Sequence, residues 1–273
     1  MRKLLVPTDF SECAENALDY ALFLAKKMNA EITLLSAYHI PASGSATIVV
    51  NIQEDMRKET EEELDALLLK KNKEYPKVKI SRETDFNVPV NSILRYTQKN
   101  EYDMVVIGTT GASGIKDMFL GSTTSNIVDK VKIPILAVPQ NSDFKSIDSI
   151  LMACSLESIK SVDSMNFLKL FATSLQLDVK FFNVFKENDP EMENRIAKKK
   201  ESLKIIFDSF KYEIELIQSK DIEEAVLQAV GKNQLLSVVT RERKFFDKMF
   251  HPSMSKKLAK HSKSPILILH EQK

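Results

Sequence analysis

Glycine is scarce in this chain, with 6 among 273 residues, and cysteine is scarcer, with 2. Two cysteines, Cys13 and Cys154, are too few for a disulfide framework or a zinc cluster, which leaves two buried thiols or at most a single bridge. Neither sign of charge prevails, since 39 basic residues face 38 acidic ones for a formal net charge of +1. That balance argues against a nucleic-acid binder, whose signature is a strong basic bias. No run approaches the roughly 18 apolar residues of a membrane span. The opening MRKLLVPTDF is apolar only from Leu4 to Val6, too short for a signal peptide. The chain therefore reads as soluble and cytoplasmic, with neither nucleic acid nor membrane as a partner. Its four histidines, His39, His251, His261 and His270, are far apart and lack metal-ligand spacing. A Gly-Lys-Ser/Thr phosphate loop is also missing.

What glycine there is falls largely in one place. Gly108, Gly111, Gly114 and Gly121 lie within one stretch that reads Gly108-Thr-Thr-Gly111, nine residues, then Gly121-Ser122-Thr123-Thr124. Glycine is kept where φ must be positive or where a ligand must touch bare backbone. Turns also need glycine, so the cluster alone is weak. With hydroxyls at Thr109, Thr110, Ser122, Thr123 and Thr124, it reads as a binding loop for an oxygen-rich anion.

The length suggests two domains, and the sequence repeats itself. Leu4-Leu5-Val6 is matched by Ile150-Leu151-Met152, and Pro134-Ile-Leu-Ala-Val138 by Pro265-Ile-Leu-Ile-Leu269. A polar stretch from Gln140 to Ile147 separates the halves, which places domains at 1–142 and 143–273 with a boundary near Asp143.

In the first half, Ala14, Ala17, Leu18, Ala21, Leu22 and Ala25 recur at helical spacing behind Ser11, a candidate N-cap. Strands are expected at Ile32–Ala37, Val78–Thr84, Met104–Gly108 and up to Val138. Helices are expected at Gln53–Asn72, with Leu64, Leu67 and Leu68 inward and Glu61-Glu62-Glu63 solvated, at Pro89–Lys99, and at Thr123–Lys130. The second half repeats the order, with strands at Ile150–Cys154, Val179–Phe185, Glu213–Ile217, Leu236–Thr240 and Ile266–Leu269. Its helices fall near Ile159–Leu175, Glu191–Ser209, Ile222–Val230 and Ser253–Lys260. Strands that alternate with helices imply a mainly parallel sheet with right-handed crossovers.

In such a sheet ligands bind beyond the carboxyl ends of the strands. Pro7-Thr8-Asp9 ends strand one and the glycine loop begins at the end of strand four, so neighbouring strands would place both at one crevice. Gly108 and Gly111 would let the backbone approach a ligand, Gly121 and Ser122 would open a helix whose N–H groups attract phosphate, and Asp9 would accept from a ribose. The alternative role for Asp9 is as an N-cap.

These residues resemble those of the universal stress protein family, of its tandem, adenine-nucleotide-binding kind. The spacing Gly, two residues, Gly, nine residues, Gly, Ser over residues 108–122 matches the family's ATP motif, and Val6-Pro7-Thr8-Asp9-Phe10-Ser11-Glu12 is similar to its first strand and turn. The resemblance implies two Rossmann-like, adenine nucleotide alpha hydrolase-like α/β domains. Each would be a five-stranded, mainly parallel sheet of order 3-2-1-4-5 with helices on both faces. It also implies ATP, with Mg or Mn at the phosphates, held by Pro7, Thr8, Asp9, Ala37, Ile107, Gly108, Gly111, Gly121, Ser122, Thr123 and Thr124. Domains of the family pair through the last strand, which implies pairing of the two halves and a possible homodimer.

The second half departs from the pattern. Thr240 and Arg243 stand for Gly108 and Gly111, Pro252-Ser253 for Gly121-Ser122, and Ser155 for Asp9. It is not expected to bind ATP in the family manner; Arg241, Arg243 and Lys244 read as a solvated basic loop, with the holding of an anion as the alternative. Catalysis has less support than binding. Phosphoryl transfer needs a positioned nucleophile and charge-neutralising groups, and Lys116 is the one obvious cation inside the glycine loop. The sequence thus reads as an ATP-binding stress-response or regulatory protein with at most slow hydrolysis. The alternatives are an ATP-using enzyme of related fold and a ligand-free dimerisation scaffold.

Overall fold

A computed structural model describes residues 2–39, 46–99, 102–110, 122–140, 142, 147–153, 162–185, 192–208, 210–219, 222–231, 233–240 and 264–270. The protein divides into two compact units, which part after Gln140.

The first unit runs β1 (Lys3–Thr8), α1 (Glu12–Met28), β2 (Glu31–Tyr38), α2 (Ala46–Glu74), β3 (Ile80–Phe86), α3 (Pro89–Lys99), β4 (Met104–Gly108), α4 (Ser122–Lys130) and β5 (Ile135–Val138). Its strands are parallel in the order β3-β2-β1-β4-β5. Strand order reverses between β1 and β4, since the polypeptide leaves β1 toward β2 and β3 and returns on the other side to β4. Residues of β1, β4 and β5 are buried on both faces, as strands covered by helices on two sides must be.

Side-chain pairings of β3 show the layers. Arg82 pairs with Asp65 of α2, whereas the alternate residues Glu83 and Asp85 meet Tyr96 and Arg95 of α3. Successive strand residues point to opposite faces, so α2 and α3 cover opposite sides of the sheet. Lys70 and Lys71 of α2 pair with Glu15 of α1 at 2.5 and 3.2 Å, which places α1 beside α2.

The α1 stripe is buried as its spacing requires: Ala14, Ala17, Leu18, Ala21, Leu22 and Ala25 all face the core, joined by Tyr20 and Leu24. The helix starts at a Ser11 N-cap rather than at Asp9, carries Glu12 and Glu15 in its first turn, and closes on Asn29 at φ 52°. These charges and the left-handed cap complement the helix ends.

The second helix corrects an expectation. It begins at Ala46 instead of Gln53 and extends over 29 residues. Thr47-Ile48-Val49-Val50 has low intrinsic helix propensity, which hid this start, but adding turns to an existing helix is easier than nucleating one. Leu64 is buried, Leu67 and Leu68 are half-buried, and Glu62 and Glu63 are exposed.

The second unit runs β6 (Ser149–Ala153), α5 (Val162–Leu175), β7 (Asp178–Phe185), α6 (Met192–Ile206), β8 (Tyr212–Gln218), α7 (Ile222–Ala229), β9 (Gln234–Thr240) and β10 (Ile266–His270). Its parallel order, β8-β7-β6-β9-β10, repeats the 3-2-1-4-5 arrangement. An aromatic cluster fills part of its core, with Phe181 edge-on to Phe207 and Tyr212 at centroid distances of 5.3 and 5.8 Å. Cys154 and the expected helix at Ser253–Lys260 lie outside the described residues, and Cys13 is a buried free thiol. Among the described residues no helix is long and apolar enough to cross a membrane.

Candidate functional site

In the first unit a cavity of about 250 Å³ opens at the carboxyl ends of β1, β2 and β4. It sits at the reversal of strand order, where open parallel sheets leave a crevice. Pro7, Thr8, Asp9, Ala37, Ile107, Gly108, Ser122, Thr123 and Thr124 all line it. Every described residue of the expected set thus meets in one pocket, although the members come from four separate elements and a turn. Gly111 and Gly121, like Gly114 and Lys116, lie outside the described residues.

The β1–α1 turn is built by local hydrogen bonds. Thr8 Oγ1 accepts from the Phe10 N–H at 3.0 Å, and Phe10 adopts φ 59°, an uncommon value for a bulky residue. Asp9 Oδ1 accepts from both the N–H and the hydroxyl of Ser11, at 3.2 and 2.6 Å. Asp9 is an exposed residue and part of the pocket lining.

The first turn of α4 also borders the cavity, through Ser122, Thr123 and Thr124. The first N–H groups of a helix have no partner within it, and the helix dipole adds partial positive charge there. The hydroxyls differ in what they can still do. Thr124 is buried and donates to the Gly108 carbonyl at 3.0 Å, which ties the helix start to the end of β4. Ser122 and Thr123 are exposed and border the pocket.

Gly108 has a structural reason as well as a place in the wall. A Cβ there would stand 3.0 Å from the carbonyl carbon, the carbonyl oxygen and the Sγ of Cys13, so its bare α-carbon admits the first turn of α1. Thr109 and Thr110 separate: Thr110 borders the cavity, whereas Thr109 is buried and its N–H bonds to Val138 O at 3.0 Å.

Ala14, Leu35, Pro89 and Ile93 complete the wall, and none of them figures among the candidates from sequence. With Ala37 and Ile107 they make this part of the lining apolar. No motif marks them, because apolar residues in strands and helices read as core; Pro89 was legible only as the first residue of α3. Asp9 is the sole ionisable side chain among the described lining residues. Among the described residues no cluster of His, Cys, Asp and Glu could hold a metal ion.

The universal stress protein family model matches residues 1–139. A universal stress protein of Methanocaldococcus jannaschii is 32% identical over 143 residues, covering 50% of this chain and 81% of that protein. YxiE, a universal stress protein of Bacillus subtilis, is 28% identical over 144 residues, covering 50% and 97%. In fold, a solved universal stress protein from Archaeoglobus fulgidus aligns with 99% of this chain and 98% of its own, at 18% identity and a TM-score of 0.70. The family match spans half of the sequence and the whole of the pocket, and the chain belongs to the universal stress protein family.

Proposed function

We propose that the first unit binds ATP in this pocket and that the protein is a tandem universal stress protein, residues 1–142 and 143–273, with a stress-response or regulatory role. The observation that carries the reading is one crevice whose lining combines apolar side chains, the Asp9 carboxylate and the first turn of α4. Leu35, Ala37, Ile93 and Ile107 would pack against the adenine, Asp9 would accept from the ribose, and the α4 N–H groups with Ser122 and Thr123 would receive the phosphates. Gly111 and Gly121 would let the backbone close on them. With no metal cluster among the described residues, a Mg or Mn ion would be held chiefly by the phosphates themselves.

The same wall argues for binding over rapid turnover. Phosphoryl transfer draws on cations and a positioned base, and the described wall offers Asp9 alone. The second unit has exchanged the glycines and the aspartate of the motif for Thr240, Arg243, Pro252 and Ser155. It is proposed to bind no ATP in this manner.

Calorimetric titration of the full-length protein with ATP and Mg tests both statements. The expected stoichiometry is one ATP per polypeptide. Binding should vanish in Gly121→Val, and Asp9→Ala should weaken it by about 1–3 kcal/mol, as for a lost charged hydrogen bond. Two sites per polypeptide would overturn the assignment to one unit, and fast phosphate release would favour the enzyme reading.

A further inference from the structure

Ser11 lies outside the pocket wall, yet its hydroxyl joins two parts on which the wall depends. Its Oγ donates to Asp9 Oδ1 at 2.6 Å, its N–H donates to the same oxygen at 3.2 Å, and the Oγ accepts from the Ala14 N–H at 3.2 Å. A hydroxyl has one proton and two acceptor lone pairs, so it holds the carboxylate and caps α1 at once. Both of its partners, Asp9 and Ala14, line the cavity. The turn that brings Ser11 there is itself latched by Thr8, whose Oγ1 holds the Phe10 N–H at 3.0 Å while Phe10 sits at φ 59°.

The geometry points to Ser11 as a positioning residue that sets the rotamer of Asp9 for the hydroxyls of a ribose. This rests on the reading of the pocket as an ATP site. A carboxylate accepts about four hydrogen bonds. The two from Ser11 fall together on Oδ1 and orient the carboxylate within the pocket lining. Asp9 is exposed, and loss of the Ser11 hydroxyl removes a 2.6 Å bond that restrains its carboxylate, so more of the sugar contact would have to be ordered at each binding event.

A cap acting only on the helix would change the affinity for every nucleotide alike. A latch on Asp9 concentrates the loss on the sugar hydroxyls, and that difference is measurable. Full-length wild type, Ser11→Gly and Ser11→Thr are titrated with ATP and with 2′,3′-dideoxy-ATP, and thermal unfolding is followed in parallel. Glycine remains a favourable N-cap, so Ser11→Gly removes the hydroxyl with little cost to the helix. Wild type is expected to prefer ATP by about tenfold, the worth of one charged hydrogen bond. Ser11→Gly should reduce that preference to about twofold, and Ser11→Thr, which keeps the hydroxyl, should restore it.

A Ser11→Gly variant that keeps the wild-type preference overturns the inference, whatever its melting temperature. So does a wild type that binds the two nucleotides equally, which would leave the ATP pocket standing without the sugar contact. Absence of ATP binding to wild type overturns the pocket assignment and this role with it.

Discussion

Gly108 and Cys13 meet so closely that a methyl group on Gly108 would stand 3.0 Å from the carbonyl carbon and oxygen of Cys13 and from its Sγ. The glycine at the head of the glycine-rich motif therefore also sets how near α1 lies to β4. Gly108→Ala is expected to destabilise the protein by about 1–3 kcal/mol through overpacking. The urea midpoint should fall with an unchanged slope. Adding Cys13→Ala should recover only part of the loss, because the backbone atoms remain in the way. An unmoved midpoint in Gly108→Ala would show that the contact has room to relax.

Thr124→Val should cost about 1 kcal/mol, and up to about 3 if the Gly108 carbonyl is stranded without a partner. The substitution keeps the shape and deletes the donor of the 3.0 Å bond. Thermal unfolding reads the cost directly. A variant as stable as wild type would mean that water replaces the hydroxyl there.

Ala37→Leu should fill the cavity beside Leu35 and Ile93 without touching the buried core of the sheet. Affinity for ATP is expected to drop at least about tenfold, while stability stays within about 0.5 kcal/mol of wild type. Unchanged affinity in a calorimetric titration would place the base away from the end of β2.

Lys71 is a buried ammonium on α2, with its side chain 3% exposed between Asp19 and Glu15, which are 33% and 37% exposed. Burial by itself would lower its pKa, but the hydrogen bonds and charges of Asp19 and Glu15 outweigh that and raise it above 10.5. Glu15 is held below its ordinary 4.5 chiefly by the hydrogen bond from Lys70, against some opposition from burial and with further help from Lys71. The raised lysine contributes stability that is complete below 10.5 and lost as pH rises through its folded value. The lowered carboxylate contributes stability that is present above 4.5 and lost as pH falls through its folded value. Lys71→Met, of similar volume, should cost about 1–2 kcal/mol near neutrality, less than for a fully buried pair because both carboxylates reach solvent. It should also flatten the alkaline limb and make the acid limb shallower. Urea midpoints across the pH range check this, and a profile parallel to wild type would contradict it.

Much of the fold was legible in the residues themselves. The α1 stripe, the Ser11 cap and the alternation of strands with helices depend on neighbours close in sequence, and periodicity records such neighbours directly. The spacing of Gly108, Gly111, Gly121 and Ser122, with Asp9 behind strand one, pointed to one crevice for a related reason: Gly108 ends β4, Ser122 starts α4 and Asp9 follows β1, and parallel sheets gather strand ends on one side. What tertiary structure alone decided is what arrives from far along the sequence. Leu35, Pro89, Ile93 and Ala14 became a pocket wall only when β2, α3 and α1 converged, and nothing local separates them from ordinary core residues. The same holds for Thr109 and Thr110, where Thr109 is buried and Thr110 borders the cavity. Gly108 too acquired its second reason only through Cys13, a residue 95 positions earlier, because close packing is a property of surfaces in contact and leaves no trace in either stretch of sequence alone.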